Sequence, residues 1–392
     1  MPTGFYTAAE FWKRAFPYSS AALLALAFSL RAFCLNYETL DYQNFLKQWV
    51  EFFRQNGGFA ALSQPVGNYN IPYLYFLALF SYIPASDLYL IKLLSIFFDV
   101  LMAWAAMGIV GKLGGSLAQR LGIFFTVLLL PTVVLNGALW GQCDSIYVAL
   151  ALMSIYWALD DKPVLSMLAM TLSFGFKLQA VFVMPVLAIL WMQGKFKLRH
   201  FFIFPIAYVV LVLPAVLLGR PFLDTITLYF SQTGSIGSGL NYNSPSVFGI
   251  FWNVQNEVLA SKLAIIFAFV FMLLILLICY VNRSRLSSRA MLAAAVLLAV
   301  GIPFLLPHMH DRYFFAGDIL TVVLAFACWK YSPVAPLCQF ASLLGYHAYL
   351  KMRYLLPMSY GSWALILVLI LAGHMLFREL EKGKGKKIEF AS

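Results

Sequence analysis

Apolar runs of membrane-crossing length, roughly 17–25 residues, alternate with short polar breaks along most of the chain. The pattern predicts helices at about 16–35, 88–110, 121–137, 145–159, 163–175, 178–192, 201–219, 260–281, 289–306, 313–330, 333–350 and 357–377. Pro72 to Pro84 is apolar but only about 13 residues long, which suits a re-entrant or interfacial piece better than a span. The first long polar interruption is Asn36 to Asn70. Within it Tyr42, Phe45, Leu46, Trp49 and Phe53 recur at helical spacing, which predicts an amphipathic helix lying along a membrane surface. Gly57-Gly58 should stop that helix, and Ser86 or Asp87 should cap the next one.

With 62% hydrophobic and 11% charged residues, the chain lacks the roughly 25% charge that covers a soluble surface. The fold expected is an all-α polytopic membrane protein of about 11–13 transmembrane helices, with juxtamembrane helices in the first external loop. One domain is expected, with external loops at 36–86 and 220–259, the latter flexible, and a basic cytoplasmic tail at 378–392. The formal charge of +11 points to lipid rather than nucleic acid. If 72–84 does not cross, Lys112, Arg120, Lys162, Lys195, Lys197, Arg199, Arg283, Arg285, Arg289 and Lys330 share the side of both termini, which the positive-inside bias makes cytoplasmic. The first apolar run is expected to persist as a span rather than be cleaved. Cys34, Cys143, Cys279, Cys328 and Cys338 are scattered without metal or disulfide spacing.

The opposite face collects a different residue set. Asp41 heads the amphipathic segment and is read either as a helix cap or as a general base for an incoming hydroxyl, with Glu38 the neighbouring alternative. Gln142 and Asp144 lie in WGQCDSIY. Asp144 either caps a helix or holds substrate hydroxyls or a cation, because a charge at a membrane edge is costly unless paired or functional. Lys177, in FKLQ with Gln179, either snorkels to the interface or binds phosphate. In PHMHDRY, His308, His310, Arg312 and Tyr313 stand together. Arg312 is favoured as a phosphate partner by its planar fork, while the two histidines make only a weak metal spacing. Asn68, Tyr69 and Asn70 add amide and phenol groups. Lys92 and Asp99 fall on one helical face and suit an inter-helix link. Ser231 to Asn243 is rich in Gly, Ser and Asn and is either a lid or a plain linker.

Several blocks carry a family resemblance: LDYQNFLKQWVEFFRQNGGFAAL, GNYNIPYLYFLALFSY, LIKLLSIFFDV, GALWGQCDSIYVALAL, SFGFKLQAVFVMPV and LPHMHDRYFFAGD. Together they resemble the GT-C superfamily of membrane glycosyltransferases, and more closely bacterial proteins related to the second mannosyltransferase of glycosylphosphatidylinositol-anchor assembly. The resemblance implies inverting transfer of a hexose such as mannose from a polyprenyl-phosphate donor to a glycan or lipid-linked acceptor on the outer face of the cell membrane. Asp41 and Asp144 take the family's two external acidic positions. Tyr42 follows Asp41 where the family commonly carries a second acid, so a metal-holding role for that loop loses its basis. No resident cofactor is expected, and the part of a divalent ion stays open. The rival reading is a secondary transporter or flippase, for which the helix count and GKLGGSLAQR speak. Against it stand the lack of a two-fold repeat and the gathering of polar groups at one edge.

Overall fold

The computed structural model describes residues 8–233 and 239–383. Part of the expected 231–243 lid and most of the basic tail lie outside the described residues, as do the side chains of Lys13 and Arg14 near the first helix. Among the described residues the chain is all-α apart from a two-residue parallel pairing of Asn241–Tyr242 with Met309–His310. Among the described residues, five helices are long and apolar enough to cross a membrane: Asp87–Lys112, Leu198–Leu217, Glu257–Val281, Ser288–Leu305 and Met358–Lys382. A bent pair, Leu117–Leu129 with Pro131–Trp140, would make a sixth; shorter apolar helices fill the other predicted positions, except 333–350, where the helix Val334–Leu350 stands. The molecule is therefore compatible with a multi-pass membrane protein.

The Ser288–Leu305 helix sits at the centre, with every residue from Ala290 to Phe304 buried. A helix apolar all round has no solvent face to offer, and its alanines admit close neighbours. By contrast, Leu198–Leu217 and Glu257–Val281 bury only 17% and 22% of their apolar windows, so they form the rim that would meet lipid. The bend of 44° before Pro131 follows from proline chemistry. Pro131 donates no backbone hydrogen bond, and Leu130 before it is extended at φ −61°, ψ 127°.

The first loop has an apolar core of its own. Tyr42, Leu46, Val50 and Phe53 pack with Ile71, Leu74, Leu77, Tyr208 and Val212. Residues Tyr42–Leu46 are π-helical and Lys47–Gln55 α-helical. The wider turn changes the phase of the buried stripe relative to the 3.6-residue reading. Val50 enters the core, while Phe45 stands 49% exposed. Asn56 closes the helix, and Gly57 and Gly58 follow at φ +83° and +63°. At Gly58 a Cβ would stand 2.1 Å from the Tyr82 hydroxyl and strike it. The Ile71–Phe80 helix has ten residues, about 15 Å at 1.5 Å each. That is half a bilayer core of roughly 30 Å.

Two polar anchors inside the helices hold this loop. Arg31 donates to Asp99 Oδ2 from Nε at 3.0 Å and from an Nη at 2.8 Å, both side chains being fully buried. Ser145 donates to the other Asp99 oxygen. Lys92 donates to the carbonyls of Cys34, Leu35 and Tyr37 at 2.9, 3.1 and 2.6 Å, so it closes the end of the Ala8–Cys34 helix. Asp99 is thus an inter-helix link as expected, and Lys92 links the same two helices through backbone carbonyls.

Candidate functional site

Two π-helical turns flank the site, Tyr42–Leu46 and Val134–Trp140; such turns recur at functional positions because they re-aim side chains. Asp41 precedes the first but caps nothing with its side chain. Its Oδ2 accepts from Trp140 Nε1 at 2.9 Å and Gln142 Nε2 at 2.7 Å, and its Oδ1 accepts from Tyr349 Oη at 2.6 Å. Three donors from two distant segments hold this carboxylate. The chain reaches Gln142 by reversing at Gly141, φ +79°, a conformation that costs other residues about 1–2 kcal/mol. Ser95 donates to the Gln142 carbonyl at 2.6 Å and Thr39 to that of Trp140 at 3.0 Å, which pins the turn to both neighbours.

Asp144 opens the Asp144–Leu159 helix without capping it. Lys177 donates to its Oδ1, and Asn136 donates to its Oδ2 at 2.8 Å. Arg312 Nε lies 3.6 Å from Oδ2, beyond hydrogen-bond length. The Arg312 guanidinium rests instead over the Trp140 ring, 5.1 Å from its centre. Tyr349 stacks on the same indole at 4.2 Å and 14°. Tyr69 closes the circuit: it donates to Gln142 Oε1 at 3.2 Å, and Lys177 Nζ lies 5.8 Å over its ring. Asp41, Gln142, Tyr69, Lys177, Asp144, Arg312 and Trp140 thus form one closed ring of contacts.

The other expected residues fall around this ring or away from it. His310 stacks on Tyr242 at 4.7 Å and meets Tyr313 at 5.1 Å, beside Asp311, whose Oδ1 is 3.6 Å from Arg312. His308, at φ +61°, shares hydrogen bonds with the Gly239 carbonyl at 2.7 Å and Ser261 Oγ at 3.2 Å, so it fastens a loop. Asn70 accepts from Ile71 N at 2.9 Å and donates to Tyr208 Oη at 3.1 Å, a buried cap. Asn68 is exposed. Gln179 stands in the Leu178–Phe182 turn with Oε1 buried and unpartnered among the described residues. Glu38 is exposed and accepts from Gln43 at 3.1 Å, outside the ring. Among the described residues, no three His, Cys, Asp or Glu side chains converge as a metal-holding group, and the cysteines are free. Tyr349, Tyr346 and Asn136 belong to the site but lie in apolar helical runs, where an aromatic or a lone amide looks like core. Tyr346 donates to no carboxylate; its hydroxyl receives Asn136 Nδ2 at 2.9 Å.

Electrostatics divide the neighbouring pair. Burial pushes the Asp311 carboxyl from 3.8 up to about 7, opposed by Arg312 and reinforced by Asp41 and Asp144. Burial brings the His310 imidazole from 6.5 down to about 4, with Arg312 and Lys177 pulling the same way and Asp41 against. Their contributions to stability oppose each other. Asp311 favours the fold below about pH 4 and loses that contribution as pH rises through 7. His310 contributes above about 6.5 and loses it as pH falls through 4. Thermal melts of Asp311→Asn should therefore fall progressively behind the parent protein on acidification from pH 7 to 4. Those of His310→Gln should gain on it over the same range. Melting curves that stay parallel to the parent's would show that neither proton is coupled to folding. The chain matches no family model and no curated protein.

Proposed function

We propose that this protein is a GT-C-like glycosyltransferase of about 11–13 spans, moving a hexose such as mannose from a polyprenyl-phosphate carrier to a glycan or lipid-linked acceptor with inversion. In this reading both termini are cytoplasmic and the ring of contacts faces outward. The observation that carries it is that one indole joins the two chemistries: Trp140 donates to Asp41 from its nitrogen and supports Arg312 on its face.

The division of labour follows from what each group has left over. A carboxylate offers about four acceptor positions, and Asp41 has three filled. The fourth receives the proton of the acceptor hydroxyl as its oxygen attacks the anomeric carbon. The bond from that carbon to the carrier phosphate breaks on the opposite face, and the phosphate leaves with the electron pair. A lipid phosphate departs without a strong acid but gathers charge as it goes, which a preorganised cation stabilises. Arg312 suits this better than Lys177. Lys177 donates a hydrogen bond to Asp144, whereas Arg312 stands 3.6 Å from both Asp144 and Asp311, beyond hydrogen-bond length, and its side chain keeps 15% exposure. A guanidinium's fork then matches two phosphate oxygens.

Steady-state transfer from a polyprenyl-phosphate sugar donor in membranes tests the assignment. Arg312→Ala should raise the donor requirement about tenfold to a hundredfold, the loss of one or two hydrogen bonds to a charged group at about 1.5–3 kcal/mol. Arg312→Lys should recover only part, since an ammonium lacks the fork. Donor dependence unchanged in Arg312→Ala would return that arginine to a structural role.

A further inference from the structure

Arg220 is another buried cation, remote in sequence from the ring of contacts and unused by the chemistry above. It follows Gly219, whose φ of +111° turns the chain at the end of the Ile203–Leu217 helix. Only 8% of the residue is exposed, yet among the described residues its side chain makes one hydrogen bond, from an Nη to the Gln64 carbonyl at 3.2 Å. A guanidinium carries five N–H donors, and cations this buried are normally paired. Among the described residues no carboxylate comes within 4 Å of it; Asp224, four positions on, acts only at longer range. Its remaining nitrogens are absent from the wholly enclosed, unpartnered polar atoms, so they can be reached from outside.

The surroundings say what could reach them. Leu217 at 78% and Leu223 at 69% exposure flank the arginine, with Leu218 and Phe222 also exposed. They continue the rim helix Leu198–Leu217, the least buried of the long apolar helices. On the other side stand Gln64 and Ser63 of the first loop, with the Ser63 Cβ 3.6 Å from where a Gly219 side chain would begin. The cation thus sits on the line where an apolar, lipid-facing surface meets a polar loop, the depth of phospholipid phosphates.

We propose that Arg220 binds the phosphodiester headgroup of an anionic bilayer lipid, tying the first loop to the Ile203–Leu217 helix. The acyl chains would lie along Leu217, Leu218 and Leu223, and the phosphate would take the guanidinium donors that Gln64 leaves free. This does not depend on the protein being a glycosyltransferase.

Delipidated protein in neutral detergent can be titrated with phosphatidylglycerol and followed by native mass spectrometry and thermal melting. The parent protein should retain one phosphatidylglycerol and melt at higher temperature as it binds. Arg220→Gln should weaken that retention about tenfold or more, the expected cost of losing charge-assisted bonds. Asp224→Asn, which leaves the arginine's own bond intact, should tighten it. Inorganic phosphate at equal concentration should neither bind nor compete. Equal retention by the parent and Arg220→Gln would overturn the proposal, as would competition by inorganic phosphate. Should Arg220→Gln not fold, looser retention in Asp224→Asn would overturn it, because then the carboxylate would be organising the site rather than opposing the anion.

Discussion

Asp41→Asn should lower sugar transfer by about two to four orders of magnitude, the range a positioned general base contributes, while leaving the protein folded. The substitution is close to isosteric, and the surrounding donors explain why it should be tolerated. The new amide oxygen can keep the bonds from Trp140 Nε1 and Gln142 Nε2, and the new NH2 can turn towards the Tyr349 hydroxyl, which accepts as readily as it donates. What disappears is the basic lone pair. Turnover should therefore collapse with little change in melting temperature and little change in donor requirement, the reverse of Arg312→Ala. Rates measured with saturating donor and acceptor, alongside a melt of the same preparation, make the comparison. Wild-type-like turnover in Asp41→Asn would remove the base from the mechanism. Tyr349→Phe offers a graded companion: it deletes one orienting bond to Oδ1 but keeps the stacked ring on Trp140. Its effect should be smaller and confined to rate.

How much of this was legible beforehand depends on the kind of signal. The helices followed from long apolar runs because backbone satisfaction in lipid leaves few other structures. The short Ile71–Phe80 helix and the stop at Gly57 followed from length and glycine chemistry. Asp41, Asp144, Lys177 and Arg312 stood out because charge is rare in such a chain, and the structure places them in one ring. Other features gave no such sign. A π-helical turn opens the segment, and Val50 enters the core although it lies outside the stripe of Tyr42, Phe45, Leu46, Trp49 and Phe53 that was expected to lie along a membrane surface. Tyr349 and Asn136 are indistinguishable from core residues until their partners, hundreds of positions or one bend away, are known. His308 had the opposite fault: it sits in a charged motif yet bonds a loop carbonyl and a serine. Arg31 hides within the first apolar run, where one cation does little to the average.

That hidden arginine carries the largest stability effect to be expected. Arg31 and Asp99 bury both charges, and the pair is held by Ser145 and by two carbonyls, Ala27 and Leu128, at 3.0 and 2.8 Å. Coulomb attraction in such a place is offset by the cost of removing both ions from water, so the pair itself adds little. Breaking it is another matter. Asp99→Leu should cost about 3–5 kcal/mol, because an uncompensated guanidinium is left among apolar helices. Arg31→Leu strands a carboxylate and should cost a similar amount, somewhat relieved if Asp99 takes up a proton. The double variant Arg31→Leu/Asp99→Leu should recover most of the loss, since no charge then remains to be solvated. The recovery should be incomplete, because Ser145 and the carbonyl of Leu128 lose their partners. Equilibrium unfolding of the four proteins in mixed micelles closes a double-mutant cycle whose coupling term is the test. Additive losses would mean that the two side chains are stabilised separately, by their backbone and serine contacts. In that case the Arg31–Asp99 contact would no longer explain how the Ala8–Cys34 and Asp87–Lys112 helices hold the first loop over the site.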